Sequence, residues 1–137
     1  LGDGKKVLII DDDPDIVESM RIVLESQGYQ VIVAYDPKTG YNMAKTEQPA
    51  LIILDIMMPT GAEGFQFVWK LRNEPDKAVS TLPILVVTAV HSKTELKLYP
   101  NQEDSAYEAG EYLPVQGFLD KPVQPSDLLA NVAKFAR

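Results

Sequence analysis

Five short aliphatic runs punctuate the chain: Lys6 to Ile10, Gln30 to Ala34, Leu51 to Leu54, Ile84 to Thr88, and a weaker one from Gly117 to Leu119. They are apolar almost continuously rather than at every second residue, the pattern of strands covered on both faces. Segments with helical punctuation separate them. This alternation predicts an α/β domain: a five-stranded, doubly wound parallel sheet.

The helix signals are local and physical. Asp13-Pro14 offers a capping carboxylate followed by proline at the first helical position, and the spacing of Ile16, Met20, Val23 and Leu24 predicts a helix from Pro14 to about Gln27, stopped by Gly28. Asp36-Pro37 repeats the signal for a shorter helix to about Thr46, with Tyr41 and Ala44 or Lys45 on successive turns. Phe65 to Arg72 reads as a third, with Phe65, Val68, Trp69 and Arg72 on one side, and Pro125 to Phe135 as a last, with Leu128, Leu129, Val132 and Phe135 as its apolar stripe. Trp69 and Met43 stand at apolar helical positions and read as core.

The chain has 137 residues, 45% of them hydrophobic, which suits one domain, taken as 4–137, with a single core. Absence of cysteine removes disulfide frameworks and thiolate metal sites, and fits a reducing compartment. With a net charge of -7 no nucleic-acid partner is expected, because such affinity rests on basic counterion release. Runs such as "ALIIL" fall far short of the ~20 residues a membrane span needs, and "LGDGKK" is polar, so no membrane association and a soluble, cytoplasmic location are expected.

The stretch "VLIIDDDPDI" places three consecutive carboxylates at the end of a run built for burial. Like charges about 5 Å apart repel by about 3 kcal/mol at an effective dielectric of ~20, so they need solvent or a cation. Doubly wound sheets bind ligands outside the carboxyl ends of their strands, where strand order reverses. Those ends carry Asp11 and Asp12, then Asp55, then Thr88, with Lys121 just past the fifth strand. Magnesium takes one or two carboxylates and keeps waters that phosphate oxygens can replace, which fits Asp12 and Asp55 as ligands. An aspartate can attack phosphorus. A lysine and a hydroxyl can steady the transferred negative charge. Asp13 reads as a helix cap.

In "IIDDD", "LDIMMP", "VTA" and "FLDKP" the chain resembles response-regulator receiver domains, the chemotaxis-regulator-like phosphoacceptor modules of two-component signalling. The resemblance implies a flavodoxin-like fold with strand order 2-1-3-4-5 and magnesium as cofactor. It makes Asp55 the acceptor of a phosphoryl group from a histidine kinase or phosphotransfer protein. It adds Asp11 acting on the metal through water, the backbone carbonyl of Met57 as a further ligand, and Thr88 with Phe118 as a switch pair. Phe118 also reads as a plain core residue. Apolar Met57 and Val90, two residues beyond Asp55 and Thr88, imply slow loss of the phosphoryl group. Such a module is no enzyme beyond its own phosphorylation and dephosphorylation. The expected function is that of a stand-alone receiver whose protein-binding surface switches on phosphorylation.

Two departures from that family stand out. "PTGAEG", from Pro59 to Gly64, is one residue longer than the usual loop. The stretch from Val90 to Gln116 exceeds the about 15–23 residues that one helix and two short loops need. Its enlarged part, about 91–116, carries Tyr99, Tyr107 and Tyr112 with Pro100 and Pro114. These rings suit either a partner surface, including a homodimer, or packing onto the fold itself. His91, the only histidine, reads as an exposed loop residue. Two alternatives share the acids: a non-phosphorylated pseudo-receiver, and a haloacid-dehalogenase-like phosphatase. For the latter Asp11 and Asp13 match the DxD spacing, but Asp15 stands where threonine or valine belongs.

Overall fold

The computed structural model describes residues 2–56, 62–88 and 114–137. Strands β1 (Lys6–Ile10), β2 (Gln30–Ala34), β3 (Leu51–Asp55), β4 (Ile84–Thr88) and β5 (Gly117–Asp120) form one parallel sheet in the order β2-β1-β3-β4-β5. Helices α1 (Pro14–Ser26), α2 (Pro37–Glu47), α3 (Ala62–Arg72), α4 (Lys77–Ser80) and α5 (Pro125–Phe135) complete the described elements. The fold class and strand order are those expected. Met57, Val90, His91, Tyr99, Pro100, Tyr107 and Tyr112 lie outside the described residues, as do most of the 91–116 segment and residues 57–61 of the loop after Asp55.

The continuous hydrophobicity of the strands is divided by the pleat between two cores. Leu8, Ile10, Ile52, Leu54, Ile84 and Val86 pack with Tyr41, Ala44, Phe67, Val68 and Leu71 of α2 and α3. Val7, Ile9, Leu51, Ile53, Leu85 and Val87 pack with Val17, Met20 and Leu24 of α1 and Leu128 and Val132 of α5. The central strands β1, β3 and β4 are dry on both faces, so their inner positions are apolar on either side of the pleat. Met43 packs on the rim of the first core, as expected.

One expectation needs correction. Trp69 is not core: it is 38% exposed, because the inward face of α3 runs through Gly64, Phe67, Val68 and Leu71. Gly64 belongs to that face since a Cβ there would come within 2.5 Å of Ile56 O, so the helix backbone itself rests against the chain leaving β3. The inward face of α1 includes Val17, while Ile16 and Val23 only flank it. Helix α4 was not foreseen. It is four residues long, capped by the Asp76 side chain on Ala78 N–H at 2.9 Å, and too short to show periodicity.

The expected caps are present. The Asp13 carboxylate accepts Asp15 N–H at 3.0 Å and opens α1, and past its C-cap Gln27 the chain turns at Gly28 with φ 88°, a conformation that disfavours side chains. Asp36 opens α2 by accepting Thr39 N–H at 2.7 Å and its hydroxyl at 2.8 Å. Those two bonds hold the Asp36 carboxyl below its ordinary pKa. The sign follows: stabilisation is complete above the unfolded value of 3.8 and fades as pH falls through the lower folded value. Asp36→Ala is expected to lose about 1 kcal/mol at neutral pH, with the gap to wild type closing in acid. Urea melts across pH check this; a gap unchanged in acid would refute a charge-assisted cap.

Candidate functional site

Strand order reverses at β1, which has β2 on one side and β3 on the other. Past the carboxyl end of β1, Asp11 N–H continues the ladder to Ala34 O at 3.1 Å, which keeps the residue at the sheet edge and buries it to 1% exposure. Asp55 is the last residue of β3 and is 6% exposed. Thr88 ends β4 at 1% exposure. Lys121 follows β5 directly, its N–H on Thr88 O at 2.9 Å, ahead of a cis bond to Pro122. Folding thus gathers residues from four strand ends onto one edge.

The three neighbouring acids have separate tasks. Asp13 caps α1, and its own N–H donates to Asp11 Oδ1 at 3.0 Å. Asp12 is exposed. Carboxylate oxygens of Asp11, Asp12 and Asp55 all lie within 4.8 Å of one another. Lys121 Nζ stands 3.2 Å from Asp55 Oδ2 and 3.4 Å from Asp11 Oδ2. The second contact is an ion pair without hydrogen-bond geometry, so this buried Asp11 oxygen accepts no hydrogen bond among the described residues.

Burial raises the Asp11 carboxyl's pKa above its ordinary value, and the Asp55 charge adds to this, against Asp13 N–H and the Lys121 ammonium. For Lys121 the largest effect, burial, lowers the pKa, but the charges of Asp11 and Asp55 and the hydrogen bond to Asp55 together outweigh it and raise the pKa. The ammonium therefore stays charged at neutral pH and offsets part of the carboxylate repulsion. A buried oxygen without a hydrogen bond, among clustered carboxylates, is the donor set of a hard divalent cation. The site residues fit magnesium on that observation.

Phe118 is partly buried on the α2–α3 side of the sheet, packed against the core there. The Lys121–Asp11 ion pair was not anticipated; one lysine past a strand carries no signal of which acids it will face. With the geometry described, similarity to known proteins decides the family. The family model for the response regulator receiver domain matches residues 7–133.

The chain belongs to the response regulator receiver domain family.

As a receiver it is 32% identical over 129 residues to the response regulator GtcR of Aneurinibacillus migulanus, covering 94% of this chain and 46% of that protein. It is 29% identical to protein PilH of Pseudomonas aeruginosa, over 93% of each. The solved chemotaxis response regulator CheY4 of Vibrio cholerae superposes with a TM-score of 0.74 at 29% identity, over 96% of this chain and 98% of that one. The receiver spans about half the length of GtcR and nearly all of PilH. Receivers are signalling modules rather than enzymes, and response regulators work with histidine kinases or phosphotransfer partners. These relatives do not favour the phosphatase or pseudo-receiver alternatives. Among the described residues no helix is long and apolar enough to cross a membrane.

Proposed function

We propose that Asp55 accepts a phosphoryl group from a phosphohistidine on a histidine kinase or phosphotransfer protein. The observation that supports this most is the gathering of Asp11, Asp12 and Asp55 oxygens within 4.8 Å of one another beside the Lys121 ammonium. Asp12 and Asp55 would hold magnesium directly, Asp11 through water, and Met57 through its carbonyl. The ion supplies charge neutralisation at the phosphate oxygens. The remaining work falls to the chain.

An Asp55 oxygen attacks phosphorus; the phosphorus–nitrogen bond breaks, and its electron pair returns to the imidazole, which takes up a proton. Lys121 turns from Asp55 to the incoming oxygens, a short move for a compact ammonium on a flexible stem. The Thr88 hydroxyl stands at the adjacent strand end and donates to the same group. Phe118, behind Thr88 on the neighbouring strand, would respond by repacking, which biases the outer surface of β5 between two states.

Incubation with magnesium and a small phosphodonor, followed by intact-mass measurement, tests the assignment. Wild type is expected to gain one phosphoryl mass and Asp55→Asn none. A gain retained in Asp55→Asn would move the acceptor elsewhere.

A further inference from the structure

Arg72 ends α3 with a half-buried side chain whose guanidinium reaches two distant stretches of chain. It donates to Ser80 O at 3.0 Å and Leu82 O at 2.8 Å ahead of β4, and to Pro114 O at 2.9 Å and Gln116 Oε1 at 3.2 Å ahead of β5. Gln116 in turn grips Ile84 twice: its N–H donates to Ile84 O at 2.9 Å, and its Oε1 accepts Ile84 N–H at 2.7 Å. These bonds lie at the start of β5, the sheet end opposite Lys121.

Strand β5 needs such a fixture. It is a four-residue edge strand with β4 as its one neighbour in the sheet, and 28 residues separate it from β4 in sequence. Its register sets Phe118 on the α2–α3 side and Leu119 on the α1–α5 side. A slip of one residue would exchange those faces and displace Lys121 from the Thr88 carbonyl that its N–H holds at 2.9 Å. Neighbouring strands β1, β3 and β4 have fully buried side chains to enforce register, whereas no β5 residue is fully buried.

We infer that Arg72 and Gln116 form a register lock for β5 that positions Lys121 at the acidic cluster. The positioning part rests on the phosphoacceptor reading above; the lock itself does not. Arg72 is a positioning residue, acting through Gln116 and β5. Its planar fork spans acceptors that a lysine ammonium, a single point, cannot reach together.

The test compares Gln116→Ala and Arg72→Lys with Tyr41→Phe, a substitution that loosens the α2–α3 layer by removing the hydroxyl bonded to Glu74 without touching β5. Gln116 is exposed, so its truncation leaves the cores intact even if Arg72→Lys fails to fold. Amide exchange is read by NMR without phosphodonor. The Lys121 N–H is expected to exchange at least about tenfold faster in the two lock variants than in Tyr41→Phe, relative to β1 amides. Phosphorylation by a small phosphodonor at saturating magnesium is expected to slow several-fold in the same two variants. Lys121 protection equal to that in Tyr41→Phe overturns the lock. Faster exchange with an unchanged phosphorylation rate overturns the positioning role. If wild type takes no phosphoryl group, the phosphoacceptor reading and the positioning role fall together, and exchange alone still decides the lock.

Discussion

Lys121→Met is expected to slow phosphorylation by about two to three powers of ten, equivalent to about 3–4 kcal/mol of lost transition-state stabilisation, the usual cost of removing one charged or hydrogen-bonding partner from developing negative charge. The ammonium sits 3.2 Å from Asp55 and 3.4 Å from Asp11, both of them buried carboxylates. Methionine keeps most of the length of the side chain and removes the charge. The same substitution should tighten magnesium binding, since a cation that competes for two of the three carboxylates is gone. Thermal shift against magnesium concentration measures that second effect independently of phosphotransfer. A phosphorylation rate within about twofold of wild type would remove Lys121 from the chemistry.

Leu8→Ala should lose about 3–4 kcal/mol of folding stability, a large share of the about 5–15 kcal/mol typical of a domain. Leu8 lies in the middle of β1, fully buried and flanked by Ile32 of β2 and Ile52 of β3 in the sheet. With strands on both sides and helices above, the surroundings cannot collapse into the space left behind, so the cost falls in the upper part of the range for such truncations. The urea midpoint should fall with little change in slope. A loss below about 1 kcal/mol would show that this layer repacks freely.

The sheet is legible because its central strands are buried on both faces and so read as near-continuous apolar runs. Helices α1 and α2 were legible from Asp-Pro pairs whose carboxylates do cap them. The candidate site is legible because strand ends in a doubly wound sheet converge on one edge, which groups Asp11, Asp12, Asp55, Thr88 and Lys121 from their places in the sequence. What failed did so for physical reasons. Hydrophobicity drew Trp69 inward, while the residue that defines the inner face of α3 is Gly64, which has no side chain to signal it. Arg72 reads in the sequence as one more residue on a side of its helix, but its role comes from backbone carbonyls before β4 and before β5, and backbone acceptors look alike in any sequence.

In three consecutive aspartates, the first is sealed against an ammonium, the second faces water and the third starts a helix. Deleting or inserting a single residue there would reassign all of these tasks at once, so this turn has no slack for changes in chain length. Tolerance for such changes must reside elsewhere than at this turn.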